Sequence, residues 1–377
     1  RIDIGLEPAC VVVCPTEAIL VGDLNDPTSR VARVVGREVV TVRRPEKDTH
    51  PKLFYKGAHQ ATLDPLAARR PAGGLFMWSE QGPPGHVTSG HPGRSGGAAA
   101  ALLSYDVAHS VPWDWRVSLY TWTKGIASGA YLVPLLLVAL GALDASSALW
   151  RWCAPLIGSF FLVATGAILI ADLSHPARFY LIFTRPQWRS WLVRGGVILC
   201  GYGAVLFAHL VGATTGSAAL LGWIAIPGLV LAVLAAVYTA YLLAQAKARD
   251  LWQIPLLPPQ FLVQALLAGA AAVRFISPAV DPSADETLAW FVGATSLVHL
   301  LLVIGEVTLP HATAHARLGQ SEMTRGAYRA FFRAGLAGMA LGIFAPWLGG
   351  AAAVFALAGL LAYEHAYIQA GQAVPLA

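Results

Sequence analysis

Eight apolar stretches fill most of the chain from residue 117 to residue 369, and their lengths suit or approach what a bilayer crossing needs. They run Val117 to Leu140, Leu149 to Ala171, Trp191 to Val211, Ala218 to Leu243, Pro259 to Phe275, Leu288 to Leu309, Tyr328 to Phe344 and Gly350 to Ile368. None shows a two-residue alternation, and a backbone in hydrocarbon must satisfy its own hydrogen bonds, so each stretch predicts a helix. The fifth and seventh are the shortest. Trp113, Trp115, Trp150, Trp152, Trp188, Trp191, Trp252, Trp290 and Trp347 sit near the ends, where an aromatic belt would lie. Composition agrees: 56% of residues are hydrophobic and only 12% charged, against about a quarter charged in a soluble chain.

The charge is unevenly spread. Residues 1–70 carry 11 Lys/Arg and 9 Asp/Glu, an ordinary soluble mixture, with short β-like runs at Ala18 to Val21 and Val39 to Val42 and a turn at Gly22 to Pro27. Residues 71–110 are rich in Gly, Pro and Ser and predict a flexible linker. The organisation expected is a head over 1–70, a linker over 71–110 and a membrane domain over 111–377. Eight spans put both termini on one side. Loops on that side hold Arg178, Arg185, Arg189, Arg194, Lys247, Arg249, Arg317, Arg325, Arg329 and Arg333; the opposite loops hold Arg151 and Arg274. The positive-inside rule then places the head in the cytoplasm, unless those arginines dock an acidic protein surface. The net charge of +5 is loop charge, and no basic patch interleaved with aromatics points to nucleic acid. Four cysteines exclude a disulfide-rich scaffold.

Within the head, Cys10 and Cys14 stand in Cys-x3-Cys-Pro, the closing half of a ferredoxin-type cluster motif. Such a cluster takes four thiolates, and Cys153 and Cys200 lie far off in apolar sequence, where they read as packing residues. The chain starts at Arg1, so the remaining ligands are expected upstream in a longer protein or on a partner. A 4Fe-4S cluster with an incomplete ligand set is the expectation.

Residues Glu7 to Ser29 resemble the C-terminal part of the ferredoxin-like subunits that accompany molybdopterin oxidoreductases. Tyr120 to Gly129, Asp172 to Arg178, Ser190 to Gly195 and Tyr363 to Leu376 resemble the NrfD/polysulfide reductase membrane-subunit family. The resemblance implies a mainly α fold: a polytopic bundle of about eight transmembrane helices in two four-helix bundles, preceded by a partial α+β ferredoxin-like iron–sulfur domain. It departs from the family in carrying both parts on one chain. It further implies a multi-pass subunit in a bacterial or archaeal cytoplasmic (inner) membrane, passing electrons between clusters and a menaquinone or ubiquinone. A catalytic molybdopterin-type subunit, and a further iron–sulfur subunit, would be its partners.

Ionisable residues in or beside spans are costly and point to function. Asp172, His175 and Arg178 close the second span, and Tyr120 and Lys124, four apart, share a face of the first. Carboxylate, imidazole and phenol can each hydrogen-bond a quinone oxygen and exchange a proton, so these five are the expected quinone and proton-exchange residues. The alternatives are that Asp172 and Arg178 cap a helix, that Tyr120 is an interfacial aromatic and that Lys124 snorkels. His299 and Glu306, seven apart in the sixth span, form a candidate proton path or a satisfied polar pair. Glu364 and His365 are expected at a solvated span end. A haem between His209 and His299 is disfavoured by their different depths. The competing functional readings are an ion translocator and a passive anchor.

Overall fold

The computed structural model describes residues 6–43, 45–58, 63 and 113–374. In the head, a short helix α1 (Ala9–Val13) carries Cys10, and α2 (Arg30–Arg37) begins at Ser29, whose hydroxyl accepts from Ala32 N. Strands β1 (Val40–Thr41) and β2 (Tyr55–Lys56) pair antiparallel. The run expected over Val39 to Val42 thus shortens to two residues, and Ala18 to Val21 pairs with no described strand. Residues 71–110 lie outside the described residues.

The membrane part is helical throughout. Helix α3 (Trp115–Ala139) starts at Asp114, whose carboxylate accepts from Arg116 N, an N-cap that satisfies a donor the helix leaves free. A π-helical turn, Leu149–Cys153, leads into α4 (Ala154–Ala171). After the short α5 (Leu181–Thr184) come α6 (Trp191–Thr215) and α7 (Ala218–Ala244), the break between them made by Gly216 at φ 67° and the Ser217 cap. Helices α8 (Leu257–Val280) and α9 (Asp285–Thr308) follow, then the surface helix α10 (Ala314–Thr324). Helix α11 (Arg329–Ile343) breaks before the one-turn α12 (Ala345–Leu348), and α13 (Gly350–Ala373) ends the described chain.

Among the described residues, seven helices are long and apolar enough to cross a membrane. The remaining expected stretch, the seventh, is α11, whose 15 residues reach only about 22 Å at the α-helical rise. Pro346 has no N–H to donate to the Gly342 carbonyl and its ring would clash there, so the helix cannot run on unbroken past Ile343. The chain is a multi-pass membrane protein.

Two groups of four helices result. Helices α3, α4, α6 and α7 pack on one another, as do α8, α9, α11 and α13, and α3 meets α8 and α13 between the groups. The seam between the groups is backbone on backbone. A Cβ on Gly129 of α3 would stand 2.7 Å from the Ala265 carbonyl carbon and 2.9 Å from Gly269 Cα of α8. Small residues permit this approach, which is how helices gain dispersion contact where lipid offers no hydrophobic drive. Polar residues on the face of α3 are thereby sealed against the second bundle.

Candidate functional site

The buried polar groups gather where the bundles meet. Lys124 on α3 is 1% exposed; its ammonium donates to the Ala236 carbonyl of α7 at 2.7 Å and lies 4.8 Å from the Tyr238 ring centre and 5.2 Å from that of Phe261. One hydrogen bond leaves two of its three donors free. One turn earlier, Thr121 donates to the Glu364 carboxylate of α13 at 2.8 Å. Tyr120 packs with Val117 and Ile368 against Ile168 and Leu169 of α4. The fully buried Thr239 hydroxyl sits within reach of the Tyr120 and Tyr238 phenols. Lys124 thus has donors to spare in a cluster whose one carboxylate, Glu364, already accepts from Thr121. A quinone's carbonyl oxygens are acceptors only, so the residues present fit such a group.

Asp172 follows α4 on the head's side and stands at the rim. Its carboxylate is 3.7 Å from Arg116 Nη1, which also donates to the Ala171 carbonyl, while Arg116 Nε stands 3.4 Å from Asp114. Partial burial raises the Asp172 carboxyl above its ordinary value; Asp114 adds to the rise and Arg116 offsets part of it. His175 and Arg178 lie on the exposed 3-10 turn that follows. Of the five residues singled out in sequence, Tyr120 and Lys124 are therefore buried together, Asp172 borders them, and His175 and Arg178 face outward.

Two readings are corrected. Lys124 does not snorkel, because Ala236 captures its ammonium inside the protein. Glu364 is 3% exposed rather than solvated. Helix α13 continues nine residues past it to Ala373, since Gln369 and Gln372 bond the Trp113 and Asp114 carbonyls instead of ending the helix. Glu364, Thr121, Tyr238 and Thr239 join the cluster unforeseen. An acidic residue amid an apolar run was the one signal available for them.

The second bundle holds a separate line of polar groups. Glu306 of α9 accepts from the Tyr363 hydroxyl at 3.1 Å, and Gln260 donates to that hydroxyl at 2.6 Å. Deeper, His299 pairs with Gln264 at 3.0 Å and touches Met339, with the Tyr363 ring edge-on at 5.1 Å. The second oxygen of Glu306 is buried without a partner. It borders a cavity of about 310 Å³ with Asp250, Gln253, Leu309, His311 and Thr313. His209, by contrast, has both ring nitrogens engaged, by the Tyr131 hydroxyl and the Trp150 carbonyl, which leaves neither for an axial metal bond.

Cys14 accepts from Ala18 N at 3.2 Å, and Cys10 is exposed. Among the described residues no three metal-binding side chains come together. Cys10 and Cys14 supply two thiolates and do not by themselves complete a cubane. The segment between Val13 and Pro15 rests on the membrane part. Ser190 donates to the Val13 carbonyl at 3.2 Å, Gln187 N to the Pro15 carbonyl at 3.0 Å, and Arg189 pairs with Glu7 at 2.6 Å.

Comparison with known proteins follows this division. The B component of tetrathionate reductase from Salmonella typhimurium is 40% identical over 83 residues, 21% of this chain and 32% of that protein. The arsenate respiratory reductase iron-sulfur subunit ArrB of a Shewanella species is 46% identical over 55 residues, 15% of this chain and 24% of that protein. The chain thus spans about a third or less of these relatives. The C component of polysulfide reductase from Wolinella succinogenes is 23% identical over 267 residues, 64% of this chain and 84% of that protein. The family model described as polysulphide reductase, NrfD, matches residues 104–375, and the chain belongs to that family.

Proposed function

We propose that the chain is the quinone-interacting, electron-transfer subunit of a respiratory oxidoreductase. In this reading residues 1–70 form part of a 4Fe-4S head, 71–110 a linker and 111–377 the quinone-reactive membrane domain. The observation that carries it is the buried Tyr120–Lys124–Glu364 cluster, donor-rich, at the bundle junction, with Asp172 at its rim. A bound menaquinone or ubiquinone supplies two-electron, two-proton chemistry. Lys124 holds a carbonyl oxygen with its spare donors, Tyr120 and Thr239 orient the ring, and the carboxyls of Glu364 and Asp172 exchange protons. Asp172, partly in solvent, is the member that can reach the aqueous side. The catalytic centre belongs to a partner, of molybdopterin type by the family resemblance, and the membrane is the bacterial or archaeal inner membrane with the head in the cytoplasm. Cys10 and Cys14 contribute to a cluster whose other ligands come from elsewhere.

The test is quinol-coupled turnover of the assembled complex with Lys124→Met, Asp172→Asn and Glu364→Gln. Losses of about a hundredfold or more are expected where a positioned proton donor is removed, with cluster spectra unchanged. Wild-type turnover in all three, or indifference to quinone analogues, refutes the site and leaves the anchor reading.

A second reading has its own observation. Glu306 borders an open cavity on the head's side and connects through Tyr363 to His299, so these residues form an aqueous inlet for protons into the second bundle. Glu306→Gln is expected to remove proton uptake in vesicles while quinol turnover persists. Uptake undiminished in that variant rejects the path.

A further inference from the structure

From Leu173 to Arg249 the chain contains no aspartate or glutamate, yet it carries Arg178, Arg185, Arg189, Arg194, Lys247 and Arg249, all on the head's side. Two of these reach outside the segment or its loop: Arg189 pairs with Glu7, and Arg249 bonds the Val374 carbonyl. Arg178 and Arg185 make no ion pair among the described residues, and Arg194 is held over the Trp191 ring at 5.0 Å by its bond to the Trp188 carbonyl. All three are exposed.

The same segment turns large apolar side chains outward. Phe179 is 40% exposed, Tyr180 52%, Phe183 44% and Trp188 59%. This strip is continuous with the lipid-facing side of α6. A Cβ on Gly196 would lie 3.6 Å from the Phe183 ring, and the next residue, Val197, is 42% exposed. The segment joins the end of one span to the start of the next, so it lies at the height of the lipid headgroups. Aromatic rings prefer that layer, and guanidinium groups bind phosphate oxygens in a bidentate manner. A water-facing protein surface explains the arginines but not the outward rings beside them.

We propose that Arg178, Arg185 and Arg194, backed by Phe179, Phe183 and Trp188, form a collar that binds the phosphodiester headgroups of anionic phospholipid. The occupant is the bilayer itself. The proposal is independent of the quinone reading, because its readout is lipid association and not turnover.

Spin-labelled phosphatidylglycerol and phosphatidylcholine, compared by electron spin resonance on the full chain in nanodiscs, test it. Each basic residue near an anionic surface is worth about fivefold in association, so the wild type is expected to favour phosphatidylglycerol by about tenfold or more. R178Q/R185Q/R194Q should lose the preference, and R178K/R185K/R194K should keep most of it. High salt should weaken it in the wild type, a measurement that needs no variant to fold. Inorganic phosphate at matched ionic strength should not compete. Equal binding of the two lipids by the wild type, or full preference in the glutamine variant, overturns the proposal. So does displacement by free phosphate, or protection of these arginines only by an assembled partner subunit.

Discussion

The close approach of α3 and α8 makes Gly129→Ala a sharp test of how the two bundles hold together. The new methyl would sit 2.7 Å from the Ala265 carbonyl carbon and 2.9 Å from Gly269 Cα, against a carbon–carbon optimum of about 3.5–4.0 Å. The Ala265 carbonyl oxygen lies nearer still, and all three obstacles are backbone, so no rotamer change relieves them and the helices must part by about 1 Å or more. A gap of that size forfeits a quarter to a half of each neighbouring contact, and overpacking of this kind costs about 1–3 kcal/mol. For a domain of this size that corresponds to about 2–5 °C in melting temperature. The assay is thermal unfolding of the purified chain in one detergent, followed by tryptophan fluorescence. Gly166→Ala is the control, because a Cβ there meets nothing within 4 Å and alanine is the better helix former. A Gly129→Ala protein that melts with the wild type, or a Gly166→Ala protein that falls as far, would refute the argument.

Other outcomes follow from the loops and the seam. His315, nearly buried with both ring nitrogens unpartnered, has its pKa lowered chiefly by burial, with Arg249 lowering it further and Asp250 and the Val374 backbone opposing. A histidine depressed in the folded state contributes stability that is complete above its ordinary value, about 6.5, and is lost as pH falls below it. The melting temperature should therefore drop between neutral and mildly acid pH, less steeply in His315→Leu; identical slopes would exclude His315 as the cause. Burial lowers His311 in the same sense, so some slope should survive in that variant. Ser190→Ala should loosen the head while leaving α6 intact, read as faster proteolysis before residue 113 with unchanged helical circular dichroism; unaltered cleavage would show that the hydroxyl holds nothing.

The membrane architecture is readable in sequence because hydropathy over twenty residues is a collective signal that single polar residues do not erase. It fails at particular places for physical reasons. Helix α11 is not one of them: it matches the expected Tyr328 to Phe344 stretch to one residue at each end, and Pro346 keeps it short of a full span. By hydropathy the last span stops at Ile368, because Gln369 and Gln372 look like solvent residues until their amides are seen bonded to the start of α3. That shortening carries Glu364 to the surface. Lys124 and Tyr120 stand out by their four-residue spacing, but their partners Ala236, Tyr238 and Thr239 lie on another helix more than a hundred residues away. His175 and Arg178 follow Asp172 in sequence, yet both are exposed on the 3-10 turn after α4. Pattern within one helix is legible; the pairing between helices is not.

Ser190 occupies the N-cap of α6, where a hydroxyl ordinarily accepts from a backbone amide of the first turn, yet it donates to the Val13 carbonyl instead. With Gln187 N on Pro15 and the exposed Arg189–Glu7 pair, the polar contacts of the seam among the described residues are two neutral hydrogen bonds and an ion pair. Each is worth about 1 kcal/mol or less in net terms, too little to hold two separate proteins together at ordinary concentration. On one chain the balance changes. Covalent connection raises the effective concentration of one part at the other to as much as the millimolar range. Contacts this weak then suffice to keep Cys14 against the membrane part, while still allowing it to lift away and return.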